Sequence, residues 1–428
     1  LRRRIAVCLL LFACAGRRGN AYSVQTHEQL VDLTWKSSIV PLLRARYPNI
    51  TDAQIAEAHG YAYGGCAIQD IGYYPFGNSL FSDLTHYVRA GDFVASLLRN
   101  ARTPDELAFA IGALSHYIGD TEGHSMATNP AVAVEFPKLR ERYGASVNYE
   151  QNPHAHVRTE FGFDINEIAK HRFAPLKYLD HVGLKVSTDL LGRAFYETYG
   201  LELKKVLKVQ RRTVAGYTFG VRRFLPRIAY AETLLHKKSM PPDVEDAEFL
   251  RLQAELKQAS VDNGWEQWRH TAGFGTHLLA GFIYIVPKVG VASMLAVKEP
   301  DSDTEQLYVR SVNRSTDRLR GAIARLQQPE VLRSVGTTRQ TEIPNRDLDT
   351  GQIVAPGGYR LTDETYCRLL DTIAKNQGHT VPSGLREDML AFYANPDAPI
   401  ATKKHAKQWA RVQAELVVLR AMPVVAEP

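Results

Sequence analysis

Seven of the chain's 14 histidines fall between Tyr22 and Glu160: His27, His59, His86, His116, His124, His154 and His156. The densest run is His116-Tyr-Ile-Gly-Asp120-Thr-Glu-Gly-His124. Residues four apart on a helix turn only about 40° past a full circle, so His116, Asp120 and His124 share one face. Eight residues also rise roughly 12 Å, which is too far for His116 and His124 to grip one ion. Asp120 lies between them, and a carboxylate has two oxygens that can bridge ions about 3.5 to 4 Å apart. The pattern therefore predicts a multinuclear metal cluster. His156 and Glu160 repeat the four-residue spacing on a second helix, while His154 points about 160° away from His156. His27, Asp70 and His86 are further candidates on separate elements. Imidazole and carboxylate without thiolate suit Zn(II) in a hydrolytic site better than Mn(II), Ni(II) or Fe(II). His59 and His154 read as a packing or surface histidine, as do those after His156.

The elements that must hold these residues read as helices. Apolar residues recur at helical spacing through Leu30, Leu33 and Leu42 and through Leu107, Ala110, Ile111, Leu114 and Ile118. Thr103-Pro104 and Asn152-Pro153 are helix entries, each with a capping side chain before a proline at the first helical position. Strand-like alternation is scarce, so the expected fold class is all-α, a helical bundle with additional C-terminal helices. Lys237 to Asp246 and Lys298 to Glu305 read as connections, and Gly336 to Tyr359 as a long ordered loop. Helical patterns resume over Asp363 to Lys375 and Ala401 to Leu419. Leu278 to Val297 is apolar except for Lys288, and the central Pro287-Lys288 pair favours two buried core helices over an interfacial element or a span.

Composition narrows the function classes. The 428 residues are 45% hydrophobic and 23% charged, which fits one or two folded cores. Residues 1–21 hold five arginines and no acid, so the formal charge of +6 falls to +1 beyond them, which disfavours a broad footprint for duplex nucleic acid. Those residues read as a secretory signal with cleavage after Ala21, the alternatives being an uncleaved anchor or acylation at Cys14. The expected organisation is a signal over 1–21, a helical catalytic domain over 22–235 and a mostly helical extension over 236–428. Localisation would be secreted or periplasmic, or membrane-anchored through the N-terminal segment. Only Cys66 and Cys367 remain after cleavage, and both read as buried free thiols.

In order and spacing, these residues resemble the superfamily that joins bacterial zinc-dependent phospholipase C to the single-strand-specific zinc nucleases. The resemblance covers Tyr22 to Glu160 and the helices just after it. It implies three zinc ions held by Tyr22 (through its free amine and carbonyl), His27, Asp70, His86, His116, Asp120, His124, His156 and Glu160, with Asp120 bridging two ions. It also implies in-line attack of water on a phosphodiester, with Asp70 orienting or deprotonating that water. Tyr22 stands where the family has Trp, and the gap from Asp120 to His124 is two residues shorter than usual. Ile71 replaces the aromatic that follows the first Asp in the phospholipase, with Tyr73, Tyr74 and Phe76 just beyond. The expected activity is phospholipase C-like cleavage of a phospholipid headgroup, with transient membrane-surface contact and no protein partner implied. A nuclease of the same superfamily and a non-enzymatic zinc-stabilised binding protein are the alternatives. Nucleic acid is the less expected substrate, because the charge beyond residue 21 is nearly neutral.

Overall fold

A computed structural model describes residues 24–236, 241–243, 246–269, 274–285, 297–328, 343–375, 380–395 and 400–426. The fold is an all-helical bundle with further helices after its core. The helices used below are α1 (Val24–Thr34), α2 (Asp52–Gly65), α3 (Ser79–Tyr87), α4 (Pro104–Gly123), α5 (Pro153–Ala169), α6 (Gln210–Phe219), α7 (Leu225–His236), α8 (Phe274–Ile285), α9 (Ser302–Leu326), α10 (Arg360–Lys375) and α11 (Ala406–Ala421). Among the described residues, the only strands are Val381–Pro382 and Val424–Val425, which pair in parallel.

The helix starts follow the local chemistry. Thr103 Oγ1 accepts from the Glu106 amide to open α4, and Asn152 Oδ1 accepts from the Ala155 amide to open α5, each followed by proline. Such a cap contributes about 1 kcal/mol. The stretch Lys298 to Glu305 corrects one expectation. It connects only as far as Asp301, which caps α9 through the Thr304 amide, and its remaining acids Asp303 and Glu305 lie in the first turn. Negative charge is favourable there because the first helical amides point at it.

α4 is the axis of the bundle. It crosses α2 where glycines face each other: a Cβ at Gly65 would meet the Phe109 carbonyl at 2.0 Å, and one at Gly112 the Ala62 carbonyl at 2.2 Å. That close approach is what lets a side chain of α4 reach the backbone at the end of α2. Around this axis runs one hydrophobic cluster that includes Leu30, Phe109 and Phe195 and, from beyond residue 236, Tyr308, Leu348 and Tyr366. Packing is thus continuous across residue 236. α8 covers the beginning of the apolar stretch from Leu278 and corrects the expectation of a buried core helix: Ala280 and Ile283 pack against Ile228 and Ala231 of α7, but Leu278, Phe282, Tyr284 and Ile285 are exposed, because only one face of the helix meets the bundle. Residues 286–296, with Pro287 and Lys288, lie outside the described residues, as do 1–23 with Tyr22 and the expected signal, and 336–342 of the expected loop. No helix among the described residues is long and apolar enough to cross a membrane.

Candidate metal centre

Six segments deliver the polar residues to the middle of this bundle. α1 brings His27, and all of its residues are buried, so it runs through the core instead of lying on it. A 3₁₀ turn, Ile68–Tyr73, brings Asp70, and α3 brings His86. α4 brings His116 and Asp120, then passes into a π-helical turn, His124–Thr128, that carries His124. α5 brings His156 and Glu160. The eight side chains form three groups, each compact enough to hold one ion: His27, His116 and Asp120; Asp70, His86 and His116; and His124, His156 and Glu160. Every predicted ligand among the described residues is in a group.

His116 is common to the first two groups, and Asp120, a member of the first, also reaches the second. Its Oδ1 lies 3.2 Å from His27 Nε2, and its Oδ2 lies 3.1 Å from His116 Nε2 and 3.6 Å from His86 Nε2. The two oxygens therefore face two different groups, which is the geometry of a bridging carboxylate. His86 Nε2 is also 3.3 Å from Asp70 Oδ1, and the Nε2 atoms of His86 and His116 face each other at 3.5 Å. In the third group Glu160 Oε1 lies 2.7 Å from His156 Nε2 and 3.4 Å from His124 Nε2. His116 and His124 fall in separate groups, as the rise of the helix requires.

The residues fit zinc-class ions. Both oxygens of Asp70 and Asp120, Nε2 of His124, both ring nitrogens of His156 and Oε1 of Glu160 are buried and make no hydrogen bond. Leaving so many buried polar atoms unsatisfied would cost about 1–3 kcal/mol each, so cations are the natural complement. The ring orientations agree. Nδ1 of His116 bonds the Cys66 carbonyl at 3.0 Å, Nδ1 of His86 the Ser82 carbonyl at 2.7 Å, and Nδ1 of His124 the Leu348 carbonyl at 2.6 Å. A carbonyl can only accept, so each Nδ1 carries the proton and each Nε2 turns a lone pair into the site.

Electrostatics distinguish the groups. Burial pushes the Asp120 carboxyl up, but His116, His27 and His86 outweigh it and hold the group well below the usual carboxylate range. Burial depresses His86, yet Asp120 and Asp70 outweigh that and set it well above the usual imidazole range. In the third group burial, with Asp120 adding to it, drives Glu160 well up, and burial with His124 drives His156 well down.

His59 and His154 stand apart from the three groups. His59 stacks on Trp35 at 4.0 Å and sits 3.3 Å from Asp32 Oδ1, as a packing histidine, and His154 is exposed. Cys66 and Cys367 are buried free thiols. Residues 343–359 are the part of the site that spacing did not reveal. Leu348 accepts from His124 and donates its amide to the His86 carbonyl at 3.1 Å. Asp349 takes the Tyr87 and Tyr359 hydroxyls on Oδ2 at 2.9 and 2.5 Å, and its Oδ1 lies 3.9 Å from His124 Nδ1. Asn129 Nδ2 donates to the Asp349 carbonyl at 2.8 Å. The sequence showed an ordered loop here, but its Pro, Gly and Asp content says nothing of where the loop docks.

Residues 26–208 match the family model described as zinc dependent phospholipase C. No curated protein and no solved structure matches the chain. The matched stretch contains all eight of the converging side chains. Over residues 26–208 the chain thus carries a domain of the zinc-dependent phospholipase C and zinc-nuclease superfamily.

Proposed function

We propose that the protein is a phospholipase C-like enzyme that hydrolyses the phosphodiester of a phospholipid headgroup on its glycerol side. The observation that carries this reading is the placement of Asp120 between two metal groups with the third group one helical turn further along the same helix. That arrangement suits a phosphodiester, whose attacked phosphorus, equatorial oxygens and leaving oxygen all need stabilisation at once.

His27 and one oxygen of Asp120 would hold one ion, Asp70, His86 and the other oxygen of Asp120 a second, with the single Nε2 lone pair of His116 serving one of these two, and His124, His156 and Glu160 would hold a third. Zinc-class ions supply Lewis acidity, lowering the pKa of water from 15.7 to about 7 and neutralising charge on phosphoryl oxygens. Asp70 has two buried oxygens without hydrogen bonds, so one can serve an ion while the other orients the attacking water and takes its proton. His86 holds the neighbouring position through its Ser82 contact, which fixes its ring while the reaction proceeds. Release from a secretory signal after Ala21 belongs to the same reading, with Tyr22 then carrying the free amine that the resemblance gives as a ligand. A free α-amino group has a pKa of about 7.7–8.0, so freeing its lone pair at neutral pH costs only about 1 kcal/mol.

The test is metal content measured alongside turnover. Protein purified without chelators should carry three zinc-class ions. It should cleave phosphatidylcholine or phosphatidylethanolamine to diacylglycerol, and faster than it cleaves single-stranded DNA. Faster turnover of single-stranded DNA would move the assignment to the nuclease branch. Full metal with no turnover of any phosphodiester would leave a zinc-stabilised binding protein. Mass analysis of exported protein should place its first residue at Tyr22.

A further inference from the structure

Residues 203–231 contain three lysines, five arginines and no acidic residue. Lys204 and Lys205 pair with Glu202, and Arg222 pairs with Asp180. Lys208, Arg211, Arg212, Arg223 and Arg227 form no ion pair among the described residues, and all five are exposed. Their spacing is ordered. Arg211, Ala215, Phe219, Arg223 and Arg227 follow one another at four-residue steps along α6, the π-helical turn Gly220–Phe224 and α7, and each is exposed. Thr213, Tyr217 and Val221 are buried on the opposite side. The segment is therefore amphipathic with a cationic outer stripe, interrupted by exposed Phe219 at 41% and bordered by Val209 at 46%.

This stripe is tied to the metal centre. Thr213 Oγ1 donates to the Phe76 carbonyl at 2.8 Å, and Tyr217 packs edge-on against Tyr74 with ring centroids 5.4 Å apart. Tyr74 and Phe76 follow directly on the turn Ile68–Tyr73 that carries Asp70. Phe76 itself is 67% exposed and has φ of 67°, a left-handed conformation that a bulky residue seldom adopts. The chain thus accepts backbone strain to hold an aromatic ring in solvent, six residues from a metal ligand.

We infer that Phe76, Phe219 and the cationic stripe from Lys208 to Arg227 form a docking surface for an anionic phospholipid membrane. The inference rests on the phospholipase reading and deepens it, since it states how the enzyme meets its substrate. Unpaired arginines complement anionic headgroups, and protruding Phe side chains insert at the headgroup boundary. A single-stranded nucleic acid would match the charge, but it calls for aromatic platforms along a groove.

The experiment uses the full chain with its metals and sedimentation with vesicles of phosphatidylcholine alone or mixed with phosphatidylglycerol. Binding to the mixed vesicles should exceed binding to the neutral ones by roughly tenfold or more and should weaken with salt. Substituting R211Q, R212Q, R223Q and R227Q together should abolish the excess, and F76S with F219S should weaken binding to both vesicles. Both variants should keep the wild-type metal content and melting temperature, which shows that they fold. Equal binding of the wild type to both vesicles, or mixed-vesicle binding unchanged in the arginine variant, would overturn the inference. So would a variant that loses a single-stranded oligonucleotide and keeps the vesicles. If charge-dependent docking is found but no phospholipid is cleaved, the docking surface stands and the phospholipase reading falls.

Discussion

The paired groups around Asp120 and the lone group at Glu160 are linked by His124, one turn beyond Asp120, yet they draw their support from different places. The paired groups come from four elements within the first 120 residues, and their histidines are oriented by carbonyls of Cys66 and Ser82 close by. The lone group depends on α5 and on Leu348, whose carbonyl is 224 residues from His124 in sequence. The pair shares a carboxylate held ionised by three histidines. Glu160 is instead raised by burial, and His156 is lowered by it. The difference teaches that one site can combine a half whose histidines are oriented by nearby carbonyls with a half whose histidine is oriented by the distant loop 343–359, which also bonds the His86 backbone.

The sharpest way to break that comparison is Asp120→Asn. Because both oxygens face an ion position, two of the three ions should be lost, which metal analysis will show. Activity should fall by more than the roughly 10–100-fold that loss of an outer partner costs. Loss of a single ion would mean that Asp120 does not bridge. Next comes His156→Ala, which should remove one ion, leave two, and abolish most turnover; a protein without metal would show that the halves are not separable.

Asp349→Ala tests the C-terminal support itself. It removes the carboxylate behind His124 and frees two tyrosine hydroxyls, so one ion of three should be held roughly 10–100-fold more weakly. Titration with a chelator should release that ion first, and Asp349→Asn should rescue part of the effect. Uniform weakening of all three ions would contradict the division into halves.

Glu135 provides a pH test on the same side of the site. Its carboxyl accepts from Thr159, the neighbour of Glu160, at 2.6 Å, and burial raises it from 4.5 to about 8. A raised carboxyl pKa means that the folded state holds its proton more tightly than the unfolded chain. The stability is complete below about pH 4.5 and is lost as pH rises through about 8. The melting temperature should therefore fall from about pH 4.5 to about pH 8 and level off above it, a loss of stability on the order of a few kcal/mol, and Glu135→Gln should flatten that fall. Identical pH profiles would remove Glu135 from the account. The smallest effect belongs to His154→Ala, which changes an exposed side chain and should leave stability within about 0.5 kcal/mol and metal content at three ions.

Most of the ligand set was legible because its geometry is local. Helical periodicity alone puts His116 and Asp120 on one face, separates His116 from His124, and chooses His156 over His154. The caps at Thr103 and Asn152 were equally readable, since a capping side chain acts within three residues of itself. The acids after Lys298 misled because a charged cluster looks the same in a connection as in a helix first turn. Only the tertiary structure decides which distant segments meet. It turns the two oxygens of Asp120 toward different groups, lets α2 and α4 close on their glycines, and docks residues 343–359 against His86 and His124. Those contacts join residues tens to hundreds of positions apart. They depend on shape complementarity across the core, a property of the packed chain that no local pattern of residues carries.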